Sequence, residues 1–171
     1  MTPFAATQPF DSRRHQAQRF SCGQPALDAW LRAYAGQSQR RDAARTFVTA
    51  SGDGSVLGFY TLVAAQVEHA SATAAVRRGM SRHFPIPVAL LARLAVDGHH
   101  QSIGLGRSLL LDALRRVMRA SDELAVRAVT VDALDQHAAS FYRRFGFQPS
   151  ALGPETLMVS LDVAQRVVGD Q

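Results

Sequence analysis

The chain has 171 residues, 47% of them hydrophobic and 19% charged, with a formal net charge of +5. That balance fits one folded domain over residues 1–171 and excludes an intrinsically disordered chain. No apolar run is long enough to cross a bilayer, residues 1–11 lack the features of a secretion signal, and a lone Cys22 excludes an internal disulfide, all of which points to the cytoplasm.

In chain order, residues 1–24 read as irregular. Pro25 suits a first helical turn, and residues 26–44 continue as a helix with apolar positions at 27, 30, 31 and 34. Residues 46–50 and 56–67 read as a hairpin around Ser51-Gly-Asp-Gly-Ser55. A short helix follows over 72–80, and then Pro85 and Pro87 bound a rigid connection into a strand over 88–96. Gly104 and Gly106 open a helix that ends near Ala120, with apolar positions at 105, 109, 110, 113, 114 and 117. Residues 127–131 form a strand. Residues 136–144 form a helix that Asp135 caps and Gly146 terminates, and 156–161 is a closing strand. Strands alternating with helices indicate an α/β or α+β layered domain.

The densest signal is Leu94-Ala-Val-Asp-Gly-His-His-Gln-Ser-Ile-Gly-Leu-Gly106, a strand that turns into the start of a helix. Glycines there let the backbone approach a ligand, and the first helical turn offers unpaired N–H groups to an anion. A P-loop is excluded because Gly106 is followed by Arg107 and Ser108 and no lysine is present. The dinucleotide fingerprint is excluded because Leu109 stands at its third glycine. An ordinary strand-to-helix turn would also carry Gly-x-Gly, so the spacing alone leaves both readings open.

All 19 basic residues are arginine. They cluster, with 7 Arg against 3 Asp in residues 1–46 and 8 Arg against 2 Asp in residues 77–119, while residues 120–171 are net acidic. Such a field attracts polyanions, including nucleic acid, although GC-rich codon usage would produce the same bias.

Gln101-x-x-Gly104-x-Gly106 resembles the acetyl-CoA pyrophosphate loop of the GCN5-related N-acetyltransferases (GNAT). Asp135-x-x-Ala138-x-x-Phe141-Tyr142-x-x-Phe145-Gly146-Phe147 resembles that family's closing segment, in the right order. The resemblance covers residues 46–161 and implies a central mixed, mostly antiparallel sheet flanked by helices, with acetyl-CoA at the splayed strand 88–96 and no metal. It places the pantetheine arm on Leu94, Ala95 and Val96. The pyrophosphate falls to Gln101, Ser102, Ile103, Gly104, Leu105, Gly106, Arg107 and Ser108, and proton donation to the leaving thiolate to Tyr142. Core packing is the other reading of Phe141, Tyr142 and Phe145, which recur at helical spacing. Asp135 stands where many members carry asparagine, which argues against a cofactor contact there.

No general base stands out among Glu68, Asp97, Asp132, His99, His100 and His137. An acceptor amine of low pKa needs none: an α-amine near ~7.7–8.0 is partly neutral at physiological pH, unlike a lysine near ~10.4.

Phe20-Ser-Cys-Gly-Gln-Pro-Ala-Leu-Asp-Ala-Trp-Leu31, Ala44-Arg-Thr-Phe-Val48, residues 86–96 and residues 147–158 resemble the acetyltransferase toxins of bacterial type II toxin–antitoxin systems. That resemblance, over residues 10–161, implies acetylation of the α-amine of aminoacyl-tRNA, which blocks translation, and neutralisation by a ribbon-helix-helix antitoxin. It also implies a homodimer. Arg77, Arg78, Arg82 and Arg93 are then candidate RNA contacts. The alternatives are acetylation of a small amine or a protein N-terminus, a non-catalytic acetyl-CoA-binding module, and a DNA-binding regulator.

Overall fold

The computed structural model of the chain describes residues 4–171. The elements run β1 (Gln8–Pro9), α1 (Pro25–Ala33), α2 (Ala35–Arg40), β2 (Arg45–Ala50), β3 (Val56–Val67), α3 (Ala74–Arg77), β4 (Ile86–Val96), α4 (Leu105–Ala120), β5 (Ala128–Asp132), α5 (Gln136–Arg143), β6 (Gln148–Ser150), β7 (Gly153–Ser160) and α6 (Leu161–Gly169). Among the described residues, seven strands hydrogen-bond in the order β1-β2-β3-β4-β5-β7-β6, mostly antiparallel, with β4 and β5 parallel. This is the expected mixed sheet with flanking helices. The chain groups into two compact units: residues up to Val63 with Ala92–Ala113, and Ala64–Leu91 with Leu114–Gln171.

In the first unit, β2 and β3 form the anticipated hairpin, and β1 adds to the free edge of β2. The sequence read the β1 region as irregular because two residues, one of them proline, carry no alternation. The helix expected over 26–44 divides at Tyr34, whose φ of −119° departs from the regular helical value. The second part, α2, stops at Arg40, short of residue 44, and the Gln39 side chain ties it down by donating to Phe10 O at 2.8 Å and accepting from Thr46 N at 2.9 Å. Phe10, Phe20, Leu31, Val48, Val56 and Phe59 bury together, with Trp30 stacked on Phe59.

In the second unit the parallel ladder between β4 and β5 covers residues 88–91 and ends at the Leu91–Val131 pair. Ala72, Val76, Ile86, Val88, Ala128 and Met158 form one buried cluster of this unit. The helix expected over 72–80 shrinks to the four residues of α3, whose N-cap Thr73 accepts from the Val76 amide at 3.3 Å. Asp135 caps α5 as expected, its Oδ1 accepting from Ala138 N at 2.8 Å. Two elements were not foreseen, β6 and α6. The latter begins at an N-cap, Ser160, whose hydroxyl accepts from Val163 N at 3.3 Å.

Gly146 ends α5 at φ +89°, and a Cβ there would lie 2.8 Å from Val163 Cγ1 on α6. Gly146→Ala therefore meets both left-handed strain and overpacking, together about 3 kcal/mol. The expected loss in Tm is roughly 6–12 °C by circular dichroism. An unchanged Tm would show that α5 and α6 do not meet at this glycine.

Candidate active site

The residues expected to bind a cofactor, 94–96 and 101–108, all lie in the first unit. The turn that links β4 to α4 is held from below. Asp97 is buried, and its Oδ2 accepts from Ser21 N at 3.1 Å while its Oδ1 accepts from His99 N at 3.1 Å. Gly98 N returns a bond to Ser21 O at 2.8 Å. The Gln101 side-chain amide donates to Cys22 O and to Val96 O, both at 2.9 Å. The segment 20–22 thus straps the turn, and Asp28 secures the strap by accepting from Cys22 N at 2.9 Å. Gln101 was expected in the pyrophosphate loop mainly through its backbone, and its side-chain amide hydrogens go to this brace.

Above the brace, Gln101, Ser102, Ile103 and Gly104 are exposed. Ser102 and Gly104 both take positive φ, +63° and +90°. For a serine that conformation is costly, and such strain concentrates where backbone must meet a ligand. Nothing lies within 4 Å of the position a Gly104 Cβ would take. Ser108 N donates to Gly104 O at 3.0 Å, which makes Gly104 the N-cap of α4. The amides of Leu105, Gly106 and Arg107 precede that bond, so none has a carbonyl to reach inside the helix. Three convergent amides at the positive end of a 16-residue helix suit a pyrophosphate. The Arg107 and Ser108 side chains are exposed beside them.

A glycine that the sequence did not single out seats this helix. A Cβ on Gly58 of β3 would lie 2.8 Å from Leu109 Cδ1, 3.2 Å from Leu105 Cδ2 and 3.2 Å from Ala95 O. Only a bare backbone lets the first turn of α4 rest there. Its partner signal was the leucine pair at 105 and 109, which needs a flat surface to pack on. Further along, Asp112 accepts from the Tyr60 and Thr7 hydroxyls, fixing the rotation of α4.

Tyr142 lies in the second unit, on α5, and is 6% exposed. Its ring packs against Phe141 and Phe147 at 5.1 and 5.5 Å between centroids, and Phe141 meets Phe145 at 5.3 Å. Burial pushes the phenol well above its ordinary value, so it stays protonated at every working pH.

The four arginines separate. Arg77, Arg78 and Arg82 are exposed in the second unit. Arg93, in the first, is half-buried with its guanidinium 3.9 Å over the Trp30 ring, a cation–π contact that explains its partial burial. Desolvation lowers its pKa without discharging it.

Desolvation also raises the Cys22 thiol to about 11, with Asp28 adding to the effect, so the cysteine is inert. Of the possible bases, Asp97 is consumed by the brace and Asp132 accepts from Thr156 Oγ1 at 3.0 Å. Glu68 and His137 are exposed. No group of three or more His, Cys, Asp or Glu among the described residues could hold a metal ion, and no helix there is long and apolar enough to cross a membrane.

Two predictions follow the geometry of this unit. Gly58→Val should lift the first turn of α4 off β3 and lower acetyl-CoA affinity at least tenfold by calorimetry, along with a lower Tm. Equal affinity would detach the cradle from that seat. For Asp97, burial alone would raise the carboxyl, but the Ser21 and His99 amides and the two imidazoles hold it below the ordinary carboxylate value. A depressed folded-state pKa adds stability that is complete above the unfolded value of ~3.9 and vanishes as pH falls through the folded value. Asp97→Asn should cost about 1–2 kcal/mol at pH 7 and flatten the loss of urea resistance between about pH 5 and 2. A parallel pair of curves would contradict this.

The sequence model of the acetyltransferase (GNAT) domain matches residues 42–149. The tRNA-acetylating toxin of Mycobacterium tuberculosis is 44% identical over 151 residues, covering 88% of this chain and 89% of that protein. Among solved structures, AtaT complexed with acetyl-methionyl-tRNAfMet is similar at a TM-score of 0.86 and 25% identity, over 95% of this chain and 98% of that one. A variant of AtaT bound to the C-terminus of the antitoxin AtaR and acetyl-CoA is similar at a TM-score of 0.79 and 25% identity, over 95% and 96%.

Proposed function

This chain belongs to the acetyltransferase (GNAT) family, and from that premise we propose that it is a toxin that moves acetyl from acetyl-CoA to the α-amino group of aminoacyl-tRNA. One observation carries the reading: the 44% identity to a tRNA-acetylating toxin extends over 88% of this chain and 89% of that protein, well beyond the length of the GNAT-matched residues 42–149.

In this mechanism the amides of Leu105, Gly106 and Arg107 hold the pyrophosphate, with Ser102, Ile103 and Gly104 shaping the approach. The Arg107 and Ser108 side chains add charge and a hydroxyl. Pantetheine runs along residues 94–96. Because the Val96 carbonyl already accepts from Gln101, the contact falls mainly on Leu94 and on the Val96 amide. The acceptor's neutral α-amine attacks the thioester carbonyl. The C–N bond forms, the tetrahedral intermediate collapses, and the C–S bond breaks with the electron pair leaving on sulfur.

Tyr142 supplies the proton to that sulfur. Its burial makes it a weaker acid than free phenol, so the proton moves only as the C–S bond breaks and the sulfur is most basic. Water takes the proton that the amine loses. The ester beside the acceptor amine lowers the amine's pKa, which is why a site without a base suffices. The exposed Arg77, Arg78, Arg82, Arg115 and Arg119 draw the polyanionic acceptor in.

The partners are an antitoxin, of the ribbon-helix-helix class that the sequence resemblance implies, and a second copy of the chain. AtaT bound to the C-terminus of AtaR supports the first, and a pair of copies would set two arginine-bearing faces before one tRNA. Cytoplasmic action on charged tRNA completes the reading.

Transfer of labelled acetyl from acetyl-CoA to bulk charged tRNA tests the proposal. Tyr142→Phe should lower kcat by about 10²–10⁴ with little change in acetyl-CoA affinity. Label on peptides or small amines, with none on RNA, would replace aminoacyl-tRNA as the acceptor.

A further inference from the structure

Phe84 is the most exposed large apolar side chain among the described residues, at 71%. It sits in a loop of the second unit that also presents Arg77, Arg78, Arg82 and His83, all exposed. Between Glu68 and Asp97 the chain carries no carboxylate, so these cations have no acidic neighbour in sequence to neutralise them.

The loop is also held in shape. Arg127 donates from Nε to Val76 O at 2.9 Å and from Nη2 to Ala75 O at 3.3 Å and Arg78 O at 3.1 Å. Its guanidinium thus closes off the carbonyl end of α3, which a four-residue helix could not satisfy alone. Met80 N donates to Arg77 O at 2.9 Å, and His83 N donates to Ser81 Oγ at 3.1 Å. A fixed loop that exposes a phenyl ring within seven residues of three exposed arginines suits a flat, anionic ligand. Unpaired nucleotides fit both demands, since each base has a π-face and each linkage a negative charge.

We propose that this loop is the seat of the unpaired nucleotides of the RNA acceptor, with Phe84 stacking on a base and Arg77, Arg78 and Arg82 taking the adjoining phosphates. The assignment rests on the aminoacyl-tRNA reading and names the part of that substrate the loop would grip. Phosphate contacts supply affinity and Phe84 supplies preference for single-stranded over paired RNA.

Binding of two uncharged RNA hairpins to the full chain tests this by fluorescence anisotropy at fixed salt. One hairpin carries a four-nucleotide unpaired 3′ tail and the other is blunt. The wild type should favour the tailed hairpin, and Phe84→Ala should weaken that binding roughly tenfold while leaving the blunt hairpin unchanged. Phe84→Trp should keep the preference. Arg78→Ala should weaken both hairpins and flatten the salt dependence. The proposal is overturned if Phe84→Ala binds both hairpins as the wild type does, as it would if a protein partner covers the ring. It is equally overturned if both weaken alike. Acetyl transfer to charged tRNA, measured separately on the wild type, reports on the underlying reading: transfer without any Phe84 effect sinks the loop alone.

Discussion

The first turn of α4 can lie against β3 because residue 58 has no side chain. Everything proposed for the cofactor depends on that contact. A helix terminus binds an anion only if its amides converge on a fixed point, and Leu105 and Leu109, wedged over Gly58 and the Ala95 carbonyl, hold that point. The Asp112 bonds to Tyr60 and Thr7 then set the helix's rotation. With the helix placed, the linking turn must match it. The brace built from Asp97, Gln101 and the 20–22 strap absorbs the positive-φ strain at Ser102. A buried carboxylate that accepts from two backbone amides is a stiff joint, because leaving either amide unpaired costs about 1–3 kcal/mol.

The same logic governs the arginines. Their number says little, since codon usage alone can replace lysine, but their surroundings differ. Arg127 is consumed by three carbonyls and Arg93 by the face of Trp30, so both act in the architecture. Arg77, Arg78 and Arg82 are displayed on the loop that Arg127 shapes. One inward-facing guanidinium thus organises three outward ones, a division of labour invisible in a charge count.

What the sequence made legible was local. The α4 stripe, the hairpin around residues 51–55, the Asp135 cap and the Gly146 stop each depend on neighbours within a few positions. The strap to Asp97 spans 76 positions and pairs a backbone amide with a side chain, so no periodicity announces it. Gly58 lies mid-strand, where its purpose shows only once α4 is laid across it. The division at Tyr34 was not legible, because the polar run after Ala35 is itself helical. By contrast α6 was, since its Ser160 cap, acidic first turn and closing Gly169 obey the usual start and stop rules. The motif marked Gln101 by position, and the brace its side chain makes to Cys22 and Val96 shows only in the folded chain.

Tyr142 carries the remaining tension. The donor role proposed for Tyr142 would be best served by a pKa near that of its acceptor, yet burial among Phe141 and Phe147 pushes the phenol up. The mismatch is tolerable if the donor acts late, when the sulfur carries most of the charge, and it has a compensating effect. A phenol held protonated by burial also adds no negative charge to the chemistry proposed for it. Asp135, the nearest carboxylate in sequence, is tied down as a helix cap. The chemistry then asks little of side chains beyond one neutral acid, and selectivity passes to the surfaces that decide which amine arrives.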